Sequence, residues 1–224
     1  MLLAVDTSTA QLGLALYDGA SVLAELAWMP SARARHTVEL APALSGLLAR
    51  TGQRVADLTA LGVALGPGSF TALRVGLAFA KGLALARKLP IVGIPTLNVV
   101  AAAVPVQQLP LAAVVQAGRT RVAVGRYQAG EAGWQAEGPA GTMTVDELAD
   151  SIHHPTLVVG ELNAEERQRL ARKRVNVILP SPARSMRRPA LLAELAWERL
   201  RSGRVDEVAS LAPIYLHTEG GPPA

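Results

Sequence analysis

Asp6-Thr7-Ser8-Thr9 follows one short apolar run, and Gly66-Pro67-Gly68-Ser69 follows another. A carboxylate and three hydroxyls in one turn can hold a metal ion or a phosphate. They can equally close an Asx or Ser/Thr turn on themselves. Glycines let the backbone approach another group closely, and a helix capped by Ser69 offers N–H donors to an anion. The two segments are therefore candidate phosphate loops: Asp6, Thr7, Ser8 and Thr9 in the first, Gly66, Gly68 and Ser69 in the second. The second is not a Walker loop, because Lys81 lies far along the helix. A two-metal nuclease needs another carboxylate after the fourth strand, where Gly66-Pro67-Gly68 stands, and Glu39 alone does not complete the set. The four histidines, His36, His153, His154 and His217, include no pair at the helical metal spacing. There is no cysteine and no Gly-x-Ser-x-Gly elbow. Neither a metal site nor a catalytic set is expected.

The elements that must position these loops follow from hydrophobic pattern. Leu2–Val5, Leu12–Tyr17 and Ser21–Trp28 read as strands, with Asp18-Gly19 as the hairpin turn between the last two. Residues 36–50 have helical spacing, with Leu40, Leu44, Leu47 and Leu48 apolar, Pro42 inside and Gly52 as the stop. Ala60–Leu65 is a strand, 70–87 a helix and 90–94 a strand. A meander followed by strand–helix–strand crossovers makes a mixed α/β sheet. This order matches the ribonuclease-H-like and actin-like ATPase cores. After a proline-rich connection come a hairpin (111–115, 121–127), a capping box at Thr144-Val145-Asp146-Glu147, a strand at 156–159, a helix capped by Asn163, a strand at 175–179 and a helix at 189–200. The second half reads as a shortened version of the first. The expected domains are 1–105 and a degenerate 106–217, with 218–224 a disordered tail.

Composition bounds the rest. The 224 residues are 50% hydrophobic, which excludes a disordered chain. The longest uncharged run, 89–118, is interrupted by four prolines, so no membrane helix is expected, and the N-terminus lacks the basic region and apolar run of a signal peptide. A cytoplasmic protein fits. Lys plus Arg is 22 against 18 acids, and the excess gathers in Arg167, Arg169, Arg172, Lys173, Arg174, Arg184, Arg187 and Arg188. That stretch could meet phosphate, or be a solvated helix face. With two phenylalanines, three tyrosines and three tryptophans there is little for base stacking. Ala72, Gly76, Ala80 and Ala84 form a small-residue stripe, which lets helices approach closely. The helix is apolar nearly all round, so spare apolar surface is expected to meet another chain.

Several of these segments together resemble the TsaB (YeaZ) family. They are Asp6-Thr7-Ser8-Thr9, Arg35-His36, Gly66-Pro67-Gly68-Ser69-Phe70-Thr71 with Arg74-Val75-Gly76, Ala80-Lys81-Gly82-Leu83-Ala84 and Pro90-Ile91-Val92-Gly93-Ile94, over roughly the first hundred residues. Ala212-Pro213-Ile214-Tyr215-Leu216 is similar to the family's C-terminal signature. The second hairpin departs from the family, with Gln116-Ala117-Gly118-Arg119 and Arg121-Val122-Ala123 where an Asp-Ala-Arg and a Gly-Glu-Val-Tyr are usual.

The resemblance implies a two-lobed actin-like fold and a non-catalytic scaffold subunit. Its phosphate loops would be vestigial, ATP being held at most weakly or in the complex. The system makes N6-threonylcarbamoyladenosine next to the anticodon of tRNAs that read codons beginning with A. The implied partners are a TsaD-like catalytic subunit, a TsaE-like ATPase, tRNA through the complex, and a second copy when alone. The implied interface is His36, Leu40, Leu44 and Leu47 of the first helix with Ala72, Leu73, Gly76, Phe79, Ala80 and Leu83 of the second. The transferase's metal-binding histidine pair corresponds here to Thr96 and Val100, neither of which is an imidazole. The alternative is a small ATPase or kinase using Asp6 and the Gly66–Ser69 loop.

Overall fold

Leu2, Leu3, Ala4 and Val5 all lie between other strands, so the run needs no polar alternation, and it becomes β1 (Leu2–Asp6), buried throughout. The computed structural model describes residues 1–30, 36–118, 120–131, 133–172 and 176–216, and of His36 only the backbone. β2 (Leu12–Tyr17) and β3 (Val22–Trp28) add antiparallel on one side of β1. The turn between them is made by Asp18, whose carboxylate accepts the N–H groups of Ala20 and Ser21 at 2.8 and 2.7 Å. Those donors hold its carboxyl below the ordinary range. β4 (Ala60–Ala64) and β5 (Ile91–Ile94) add parallel on the other side, giving the order β3-β2-β1-β4-β5.

One face of this sheet is covered by α1 (His36–Thr51) and α2 (Phe70–Arg87). Leu40, Leu44, Leu47 and Leu48 of α1 join Leu3, Val5, Leu14, Leu77 and Ala80 in one core. Pro42 is on the exposed side of α1, where its missing N–H leaves a carbonyl that water can reach. The sequence assigned residues 189–200 to the second domain. They form α6 (Pro189–Arg201), and its Leu192, Ala193 and Ala196 pack on Leu2, Ala4, Ala60 and Val92. The first unit is therefore discontinuous, Met1–Val99 with Arg188–Ile214, and the expected boundary at 105/106 is corrected to this division. Small residues on both sides, Ala196 against Gly62, let the helix lie close to the sheet.

Beyond α6 the chain returns to β5. Asp206 bridges to Ile91, its Oδ2 accepts the Gly93 N–H at 2.7 Å, and Arg199 donates to the Gly93 carbonyl at 2.5 Å. Arg199 also pairs with Asp206 at 3.3 Å. Two side chains thus satisfy both polar groups of a strand residue with no ladder partner on that side. Asp206→Ala is expected to cost about 1–3 kcal/mol by orphaning that N–H. A urea midpoint that falls at constant m-value would register it; an unmoved midpoint would mean that water serves the N–H.

The proline-rich connection contains a helix the sequence reading did not expect, α3 (Thr96–Ala102). Pro95 stands just before it, where proline costs no helical hydrogen bond. The second unit repeats the first in strand order. β6 (Leu111–Gln116) is central, with β7 (Val122–Gly130) and β8 (Gly133–Ala136) antiparallel on one side. β10 (Thr156–Gly160) and β11 (Val177–Ile178) are parallel on the other, and β9 (Gly141–Met143) is also on β7. β8 and β9, unread in the sequence, are only four and three residues long, and each opens on a glycine. α4 (Val145–Asp150) and α5 (Ala164–Arg172) open on the expected caps. Thr144 and Glu147 exchange bonds of 3.1 and 2.7 Å, and Asn163 and Glu166 exchange bonds of 2.9 and 2.7 Å. The expected tail, with His217, lies outside the described residues, as do Arg35, Arg119, Lys173 and Arg174.

Candidate functional site

The candidate phosphate loops meet each other. The Asp6 carboxylate accepts the Ser8 N–H at 2.9 Å and the Ser8 hydroxyl at 2.6 Å, closing the turn on itself. Thr7 donates to the Ala72 carbonyl of α2 at 2.6 Å, and Thr9 accepts the Gln11 N–H at 3.4 Å. The Ser69 N–H, at the start of α2, goes to the Ser8 carbonyl at 2.7 Å. Gly68 is required there, because a Cβ would overlap that same carbonyl oxygen. Gly66 exchanges two bonds with Thr96: its N–H to Thr96 Oγ1 at 3.0 Å, and the Thr96 N–H to its carbonyl at 2.8 Å. Asp6, Thr7, Ser8 and Thr9 are all buried. The Asp6 carboxylate, the Thr7, Ser8 and Thr9 hydroxyls and the Gly66 and Ser69 N–H groups are thus engaged within the chain, whereas the Ser69 side chain, at the N-cap position of α2, makes no capping hydrogen bond, contrary to the expected cap. Among the described residues no group of histidine, cysteine and acids is placed to hold a metal ion.

The interface residues expected from the sequence divide sharply. Leu40, Leu44 and Leu47 of α1, and Ala72, Leu73, Gly76 and Ala80 of α2, are buried in the first unit itself. The small-residue stripe faces the sheet and not a partner: a Cβ on Gly76 would collide with Thr7 Oγ1. Phe79 and Leu83 are half-buried, and the side chain of His36 lies outside the described residues.

The outward faces of the same helices are a different set. Thr37, Val38, Ala41 and Ser45 are exposed on α1; Phe70, Thr71, Ala78, Gly82 and Leu85 are exposed on α2. Between them runs a hollow of about 500 Å³, bounded by Leu40, Ala41, Val75, Ala78 and Phe79, with Phe70 and Arg74 at its edge. The Arg74 guanidinium lies 3.6 Å from the centre of the Phe70 ring. Exposures of 53% for Phe70, 67% for Val38 and 69% for Leu85 mark an exposed apolar patch. Glu39, the acid of α1, is turned to Trp28, whose indole N–H it accepts at 2.7 Å.

Four members of the arginine stretch, Arg167, Arg169, Arg187 and Arg188, are engaged within the chain, while Arg172 and Arg184 are exposed. Arg187 is 1% exposed and paired with Glu161; Arg188 pairs with Glu25 at 2.6 Å. Arg169 pairs with Glu165 and Asp146 at 2.6 and 3.5 Å, and Arg167 donates to the Pro180 carbonyl at 2.5 Å. The sequence showed the cations without the acids that the fold brings to them.

Two sheets of one strand order, each with two antiparallel and two parallel neighbours around a central strand, define the actin-like ATPase (ribonuclease-H-like) fold, here in an α/β protein of two units. Residues 29–193 match the family model described as "TsaD: tRNA N6-adenosine threonylcarbamoyltransferase". The "tRNA threonylcarbamoyladenosine biosynthesis protein TsaB" of Escherichia coli K12 is 37% identical over 100 residues, 45% of this chain and 42% of that protein. The chain thus aligns with less than half the length of that relative. An uncharacterized protein of Mycobacterium bovis is 32% identical over 224 residues, covering 99% of this chain and 93% of its own. The structure of "YeaZ from Pseudomonas aeruginosa" superposes with a TM-score of 0.77 at 22% identity, over 96% of this chain and 99% of that one. The chain belongs to the TsaB (YeaZ) family.

Proposed function

We propose that the chain is a scaffold subunit for forming N6-threonylcarbamoyladenosine in tRNA, next to the anticodon of tRNAs reading A-starting codons. It performs no transfer itself. It docks a TsaD-type transferase on the outward faces of α1 and α2. The observation that carries this is the largely apolar hollow of about 500 Å³ between those helices, lined by exposed residues such as Phe70 and Ala78. It stands beside a first loop whose carboxylate and hydroxyls are already engaged internally. Thr96 and Val100 are buried in α3 and supply no imidazole where the transferase has its histidines, which supports a role without metal chemistry. A TsaE-type ATPase and tRNA join through the complex, ATP is bound at most weakly, and the same hollow takes a second copy when the transferase is absent. No described helix is long and apolar enough to cross a membrane, which fits a cytoplasmic assembly.

The test is a transfer assay with tRNA and threonylcarbamoyl adenylate. The chain alone is expected to give no product, the transferase alone little, and the two together more than either. Turnover by the highly purified chain, or an equal rate with and without it, would sink the reading. ATP hydrolysis by the chain alone would restore the kinase-like alternative.

A further inference from the structure

We infer that a hollow at the amino-terminal edge of the second sheet binds a compact oxyanion, a phosphate group. The hollow, about 240 Å³, is lined by Arg126, Glu137, Ser151, His153, His154 and Thr156. It lies where the parallel strands β6 and β10 begin, at Leu111 and Thr156. The candidate phosphate loops instead follow the carboxyl ends of β1 and β4. The inference uses residues of the second unit alone, so it stands or falls independently of the docking face.

Arg126 carries the argument. It sits on β7 opposite Ala112, half-buried, and donates to the Ser151 hydroxyl at 2.7 Å. That hydroxyl in turn donates to the Leu148 carbonyl at 2.7 Å, so its oxygen is a fixed acceptor. The ion pairs among the described residues include Arg121 and Arg169 but not Arg126. A half-buried guanidinium bonded to one neutral hydroxyl, and in no direct ion pair among the described residues, keeps most of its five donors for a ligand. The guanidinium fork matches phosphate geometry. His153 and His154 are exposed on the same hollow and bring imidazole N–H donors. The Thr156 hydroxyl donates to the His154 carbonyl at 2.8 Å, fixing the loop that carries both histidines. The volume lies below the roughly 300–1,000 Å³ of pockets that enclose drug-sized ligands, which fits a single phosphate group. Glu137, exposed on the same hollow, is the opposing charge. Its backbone N–H holds the Arg126 carbonyl at 2.9 Å while its carboxylate would repel the anion.

The experiment titrates inorganic phosphate into the full chain at constant ionic strength, following the imidazole NMR signals of His153 and His154. A saturable shift is expected. Arg126→Gln weakens it about tenfold, as loss of a charged hydrogen-bonding partner does. Glu137→Gln, a change at an exposed residue that leaves the fold intact, tightens it several-fold. Arg184→Gln, which removes the same charge at an exposed residue outside the hollow, leaves it unchanged. A single-stranded RNA oligomer then separates the two sources of the group. Displacement of phosphate by RNA in the wild type identifies a backbone phosphate; phosphate that persists in saturating RNA identifies a free phosphate or phosphomonoester. No saturable response, or equal weakening by Arg126→Gln and Arg184→Gln, overturns the inference.

Discussion

Gly76→Arg is expected to lower the stability of the chain by about 4 kcal/mol or more, and not merely to break a contact with a partner. Gly76 is buried on the sheet side of α2, and a Cβ there would collide with Thr7 Oγ1. Thr7 cannot simply turn aside, because its hydroxyl donates to the Ala72 carbonyl at 2.6 Å one helical turn earlier. Overpacking of this kind costs about 1–3 kcal/mol. An arginine adds a charge with no partner in a core of Leu77, Ala80 and Val5, a further several kcal/mol after relaxation. Domains are stable by only about 5–15 kcal/mol. At roughly 2–4 °C per kcal/mol, thermal unfolding followed by circular dichroism should come about 8–16 °C early, or the protein should be recovered aggregated. Gly76→Ala should fall between wild type and arginine. A Gly76→Arg protein that melts like wild type would show that α2 is rotated from the position described.

That outcome inverts what the stripe alone suggests, and the reason is physical. Ala72, Gly76, Ala80 and Ala84 permit close approach to whatever lies opposite, a sheet or another helix. The spacing does not say which. Arg74 held the missing information. It is two residues, about 200° around the helix, from both Ala72 and Gly76, so a charge that must reach water turns the stripe inward. In α1 the apolar side was legible, because four leucines at helical spacing outweigh the rest, but it too is the core face. The strands of the first sheet were legible from short apolar runs bounded by turn residues. Those of the second were legible only where valines dominate, as in Val122–Val124, and not in Gly133–Ala136. α6 was legible as a helix but not as part of the first unit, since its partners, Leu2, Ala60 and Val92, are distant in sequence. The same distance hid the acids that pair with the arginine stretch and the convergence of Arg126, Glu137 and His153 on one hollow.

Ala78→Arg is expected to do what the stripe position cannot: leave the fold intact and abolish association with the transferase. Ala78 is exposed and lines the hollow between α1 and α2. Its Cβ already faces water, so a longer side chain changes stability by no more than about 0.5 kcal/mol. Thr71, Val75, Ala78, Gly82 and Leu85 follow one another at intervals of four and three along the outer face of α2, the seam spacing that two packed helices use. Ala78 is the middle of that seam. A cation fixed there would be stripped of water when another helix closes on it, and it would also hold the two helices apart. An unpaired buried charge costs about 3–5 kcal/mol, more than a hundredfold in affinity. Arg74 is one turn away and already positive, so the local field offers the new charge no relief. Size-exclusion or titration calorimetry with the transferase should show no complex, while the melting temperature stays at the wild-type value. Paired with Gly76→Arg, the same arginine two residues apart then gives opposite results, one chain folded and unable to bind, the other unable to fold. A folded Ala78→Arg chain that binds normally would move the interface off α2 altogether and leave the largely apolar outer face without a purpose.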